Sequence, residues 1–144
     1  MGKIITVAGH KGGIGKSTVL CSLCVCVIKK GKTARFLETD SQGSIKDFIE
    51  ERQANASLSE IPYYECYTDI PAMVQKLAAR FDYVFVDTPG MKSPAFVKAL
   101  SCADIVLTFV EPGSGIEINT LGRLVFDIKT AQAGVNPSMK AWIV

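Results

Sequence analysis

Short apolar runs alternate along the chain with stretches in which apolar residues recur at helical spacing, and this alternation predicts the elements. Lys3-Ile4-Ile5-Thr6-Val7-Ala8 and Tyr83-Val84-Phe85-Val86-Asp87 read as buried strands, as do 33–38 and 105–110. Residues 139–144 begin a further strand, and 63–67 read as an edge strand. Helices are expected over 17–29, 44–52, 69–80, 93–102 and 117–133. End signals place several boundaries: Ser44 caps one helix, Ser93-Pro94 starts another, and Pro71 is tolerated in a first turn. Gly31 and Gly134 stand where glycine lets a helix end. The polar run Gln53-Ala54-Asn55-Ala56-Ser57 reads as a loop. Strands alternating with helices predict an α/β fold: a mostly parallel sheet with helices on both faces, and phosphate bound at the carboxyl ends of the strands.

Composition narrows this picture modestly. With 144 residues, 48% hydrophobic and 21% charged, the chain has apolar content for one core, so a single domain over 1–144 is expected. No apolar run approaches the ~20 residues of a membrane span. The chain starts almost at its first strand, so no signal peptide is expected, and five cysteines, an odd number, suit a reducing cytoplasm. A net charge of +2 does not by itself argue nucleic-acid binding, which depends on clustering. Cys21 and Cys24 share a helix face, but Cys26 is turned about 140° from Cys21 and no fourth ligand is nearby, so all three are expected in the core rather than on a metal.

The chemistry concentrates in His10-Lys11-Gly12-Gly13-Ile14-Gly15-Lys16-Ser17-Thr18, between the first strand and the first helix. Glycines here turn backbone N–H groups towards phosphates, Lys16 reaches the β- and γ-phosphates, and the Ser17 hydroxyl holds Mg²⁺. Thr18 is placed at the α-phosphate. A second lysine, Lys11, costs repulsion beside Lys16 unless phosphate charge offsets it. His10 flanks the loop, with no catalytic role expected. Asp87 closes an apolar strand, and a buried charge needs a partner, which Mg²⁺ reached through water would provide. Asp40 follows a strand and faces the γ-phosphate, or serves as turn chemistry in Asp-Ser-Gln-Gly. Glu38 supports Mg²⁺ or Asp40, or points into the sheet. Gly90 can offer its N–H to the γ-phosphate, making 88–91 a switch. Gly113 to Gly115 either approach the nucleotide or end a strand.

Three ordered segments carry a resemblance. They are the loop with its second lysine, Glu38-Thr39-Asp40-Ser41-Gln42-Gly43-Ser44, and Phe81-Asp82-Tyr83-Val84-Phe85-Val86-Asp87-Thr88-Pro89-Gly90. Together they resemble the deviant-Walker ATPases of the ParA partition group, with MinD as a cousin. The second segment has Glu38 where that family has a first Asp, and Ser41 where it has Pro. The resemblance implies a P-loop NTPase fold with ATP and Mg²⁺ as cofactors. It makes Lys11, Lys16 and Asp40 catalytic: Lys11 crosses a nucleotide-sandwiched dimer to the partner's phosphates, and Asp40 orients the attacking water. Nucleotide contacts fall to Lys11, Gly12, Gly13, Ile14, Gly15, Lys16, Ser17, Thr18 and Gly90, and Mg²⁺ to Ser17 and, through water, Asp87.

What the resemblance implies about output is slow ATP hydrolysis, an ATP-dependent homodimer, non-specific DNA binding and a ParB-type centromere-binding partner, in a cytoplasmic, nucleoid-associated protein with no membrane. The rivals are a MinD-like membrane switch, a small-molecule enzyme such as dethiobiotin synthetase, and a tyrosine kinase of the bacterial type, against which Tyr63, Tyr64 and Tyr67 read as strand residues. Candidate DNA contacts are Lys92, Lys98, Arg123, Lys129 and Lys140. Family members usually continue past the strand begun at 139, with the adenine read just beyond it, so truncation at the C-terminus is expected. The cysteine pattern that holds the cluster of nitrogenase iron protein is missing.

Overall fold

A computed structural model describes residues 1–9, 15–41, 45–55, 57–58, 60–89, 93–109 and 115–144. The elements follow one another as β1 (Lys3–Ala8), α1 (Lys16–Lys29), β2 (Ala34–Glu38), α2 (Lys46–Gln53), β3 (Tyr63–Glu65), α3 (Ile70–Ala78), β4 (Tyr83–Asp87), α4 (Pro94–Cys102), β5 (Ile105–Thr108), α5 (Gly115–Ala133) and β6 (Lys140–Ile143). The strands form one sheet in the order β3-β2-β4-β1-β5-β6, and every pairing is parallel.

This order creates a switch point beside β1. The chain first winds outward from β1 to β2 and β3, then returns through α3 to insert β4 between β2 and β1, and β5 lands on the far side of β1. Connections leaving β1 and β4 therefore diverge and open a crevice at the carboxyl ends of the strands, where such sheets bind ligands. Register levels those ends: Val7 pairs with Asp87, and Asp87 with Glu38.

The apolar run of β4 is continuous because both faces of the sheet are covered. On one face Phe36 and Phe85 pack with Val7, Leu20, Cys24, Ile45 and Ile49 beneath α1 and α2. On the other, Leu37, Val84 and Val86 meet Ile70, Val74 and Leu77 of α3 and Ala99 of α4. A third cluster joins Phe96 and Leu100 of α4 to Leu124 and Ile128 of α5 over Ala8 and Val106. Each fully buried Phe or Leu contributes about 2 kcal/mol relative to exposure.

Most expected boundaries hold, and the departures have local causes. Ser93 Oγ accepts from Phe96 N at 3.1 Å and Asp69 Oδ1 from Ala72 N at 3.4 Å, each followed by proline in the first turn. Gly31, at φ 76°, ends α1 in the left-handed region that glycine tolerates. Gly134 does not adopt that conformation. Asn136 terminates α5 instead: its N–H donates to Ala131 O at 2.8 Å, and its buried Nδ2 donates to Leu100 O at 3.0 Å and Ala103 O at 2.7 Å. β3 is shorter than 63–67, and β5 stops at Thr108 rather than at 110. Ser44 lies outside the described residues. Cys21 and Cys24 are buried as expected, whereas Cys26 is exposed because its turn about the helix axis points it away from the sheet; all five thiols are free. Among the described residues no helix is long and apolar enough to cross a membrane.

Candidate functional site

Four segments meet at the carboxyl end of the sheet: the end of β1, the start of α1, the end of β4 and the residues just after β2. Gly15 precedes α1 at φ 80°, a conformation that a side chain would strain. α1 has no acidic residue in its first turn, so the positive end of its dipole meets no competing carboxylate from the helix itself. Lys16 follows, only 9% exposed. Burial lowers its pKa from the usual lysine value, while the charges of Asp87 and then Asp40 oppose that shift.

Ser17 Oγ donates to Asp87 Oδ2 at 2.9 Å. Asp87 is 2% exposed, and its other oxygen, Oδ1, has no hydrogen-bond partner among the described residues. Burial pushes its carboxyl up to about 6, against the Ser17 hydrogen bond and the Lys16 charge. Glu38, the register neighbour of Asp87, is fully buried and pushed up to about 7, first by burial and then by the Asp87 charge. Its Oε1 accepts from Asp40 N at 3.1 Å, while Oε2 is unpartnered among the described residues. The Glu38 contact present is with the Asp40 backbone.

Two threonines lock these strand ends: Thr39, which sequence reasoning passed over, and Thr88, expected only as the start of the 88–91 switch. Thr39 Oγ1 donates to Asp87 O at 2.6 Å and Thr39 N to the same oxygen at 3.1 Å, and Thr88 Oγ1 donates to Val7 O at 2.7 Å. The signal was present as a repeat: each strand-closing acid, Glu38 and Asp87, is followed by Thr. These bonds tie β2 to β4 and β4 to β1 at the carboxyl ends of the strands.

Lys16, Ser17, Asp87, Glu38 and Asp40 are thus brought together, with Thr18 exposed at the rim. His10, Lys11, Gly12, Gly13, Ile14, Gln42, Gly43, Gly90, Lys92 and Gly113 lie outside the described residues. The donor set fits Mg²⁺. A serine hydroxyl and a carboxylate with an orphaned buried oxygen suit a hard cation that keeps waters and shares phosphate ligands, and the described residues form no all-protein cage of His, Cys, Asp or Glu. A separate cavity of about 370 Å³, lined by Lys3, Lys32 and Arg80 among others, opens at the opposite, amino ends of the strands and has no part in this arrangement.

Of the candidate DNA contacts, four lie among the described residues. Lys98 Nζ donates to Thr68 O at 2.8 Å. Arg123 and Lys129 are exposed on α5 but about 120° apart around it. Lys140 is exposed on β6.

Residues 3–141 match the family described as ATPase MipZ. The maintenance of carboxysome distribution protein A of Halothiobacillus neapolitanus is 28% identical over 146 residues, covering 97% of this chain and 64% of its own. Chromosome partitioning protein ParA of Myxococcus xanthus is 23% identical over 178 residues, covering 97% and 62%. The chain therefore spans under two thirds of the length of either relative. Cobyrinic acid a,c-diamide synthase from Mycobacterium smegmatis, solved with ADP and magnesium, superposes with a TM-score of 0.80 at 18% identity over 98% of this chain and 72% of that one, a likeness of fold.

Proposed function

The chain belongs to the ATPase MipZ family, and on that premise we propose that it is a slow, Mg²⁺-dependent ATPase of the partition type that dimerises around ATP and thereby switches its affinity for DNA. The observation that carries the site assignment is the Ser17–Asp87 hydrogen bond beside buried Lys16, placed where α1 begins. Lys16 would bind the β- and γ-phosphates, and a lysine already desolvated gains more from an anion than one in water. Ser17 would hold the metal directly and Asp87 through water. Bound Mg²⁺ would supply charge neutralisation at the phosphates.

Asp40 would orient the attacking water, and Lys11 would place charge on the partner's phosphates as the transferred group develops negative charge. ATP contacted by both chains only in the dimer stabilises that dimer by its differential binding, and hydrolysis removes the contribution. A homodimer, non-specific DNA and a ParB-type protein are the partners this reading implies, with the protein on the nucleoid. The resemblance of the loop with its second lysine and the ParA relative support it.

Calorimetry with ATP–Mg²⁺ on wild type and Lys16→Ala tests the reading at its base. Wild type should bind and the variant should lose binding at least tenfold, since the variant removes the buried cation of the cradle. Equal affinity in both places the nucleotide elsewhere.

A further inference from the structure

Glu38 is a carboxylate at 0% exposure, a position that costs free energy unless hydrogen bonds compensate. Part of the compensation comes from backbone. Asp40 N donates to Oε1 at 3.1 Å, and a backbone hydrogen bond from Ile45 also favours its charged form. Ile45 is the residue from which α2 starts, and α2 receives no side-chain cap from it. Thr39, between the two acids, is held to the Asp87 carbonyl by both N–H and hydroxyl. The backbone around Asp40 is thus fixed to β4 on one side and to the Glu38 carboxylate on the other.

We propose that Glu38 is a positioning residue for Asp40: its buried carboxylate holds the Asp40 backbone and the start of α2 in one register, and so sets how the Asp40 side chain meets the phosphate end of the site. The consequence for turnover rests on the ATPase reading, whereas the clamp itself does not. Because orientation acts on the transition state more than on substrate binding, the effect belongs in kcat. Glutamine keeps an acceptor oxygen and retains the clamp. Methionine has similar length and no acceptor, and it relieves the buried carboxylate, so the fold is kept.

The test compares full-length wild type, Glu38→Gln and Glu38→Met by steady-state ATP hydrolysis and by amide hydrogen exchange. Glu38→Met should lower kcat roughly tenfold with KM for ATP within about twofold, and Glu38→Gln should recover most of the loss. Exchange at the Asp40 and Ile45 amides should accelerate in Glu38→Met and stay near wild type in Glu38→Gln. Wild-type turnover in Glu38→Met, a loss confined to KM, a glutamine variant as poor as methionine, or unchanged exchange overturns the proposal. If wild type binds and hydrolyses no ATP, the ATPase reading fails, and the exchange rates alone still decide the clamp.

Discussion

Ser17 and Asp87, on different elements and remote in sequence, meet at 2.9 Å at the level where Asp87 pairs in register with Val7 near the end of β1. The contact uses one carboxylate oxygen and leaves Oδ1 without a partner among the described residues. Asp87→Asn should therefore retain ATP binding in EDTA but lose most of the gain that Mg²⁺ brings, since the amide keeps the Ser17 bond and forfeits the charge. Titrating Mg²⁺ against ATP affinity in both proteins checks it, and an unchanged Mg²⁺ dependence would remove Asp87 from the metal's surroundings.

Lys11 and Asp40 should fail in different ways. Lys11→Ala should leave ATP binding within about threefold of wild type while weakening ATP-dependent dimerisation and turnover, as expected of a charge supplied in trans. Asp40→Ala should bind ATP, dimerise and stall before hydrolysis. Sedimentation with ATP separates them: loss of monomer binding in Lys11→Ala makes that lysine part of its own chain's cradle, and a monomeric Asp40→Ala removes Asp40 from the hydrolytic step.

The strands and helices were legible because parallel strands covered on both faces give unbroken apolar runs, as in Tyr83 to Asp87, and because Ser93, Asp69 and Gly31 mark ends by local chemistry. Asn136 was not, since its two acceptors, Leu100 O and Ala103 O, come from another element, and a long-range contact leaves no local pattern. Glu38 differs: its contact with the Asp40 N–H spans only two residues, but a Glu-Thr-Asp run does not say that the carboxylate turns back onto the backbone. That Lys16 and Ser17 open a helix was readable because a phosphate loop requires a strand before it and a helix after it.

The buried carboxylates predict a pH dependence of stability in the nucleotide-free protein. Glu38 is raised to about 7 and Asp87 to about 6, so the folded state holds these protons more tightly than the unfolded chain, where carboxyls ionise near their ordinary values. Their stabilising contribution is full below the unfolded pKa and is lost as pH rises through the folded values. Glu38→Gln removes one titration, so its stability advantage over wild type should widen by roughly 1 to 3 kcal/mol between pH 5 and pH 8. Urea unfolding of both proteins at those two pH values measures the gap. A constant gap would mean that Glu38 titrates at its ordinary value in the fold.

DNA affinity should depend on ATP more than on any one lysine. One chain carries a net charge of +2, so two chains carry 2 + 2 = +4, and among the candidate contacts Lys98 is already engaged by the Thr68 carbonyl. Arg123 and Lys129 stand about 120° apart around α5. A dimer presents two copies of each. The full-length protein should therefore bind random duplex DNA weakly alone and at least tenfold more tightly with ATP–Mg²⁺, with affinity falling steeply as salt rises through counterion release and with little sequence preference. Arg123→Ala with Lys129→Ala should lower the salt slope, while Lys98→Ala should not. Mobility shifts run beside sedimentation with anionic vesicles decide the output: ATP-dependent vesicle binding without DNA binding points to a MinD-like membrane switch, and binding to neither points to a small-molecule enzyme built on the same sheet.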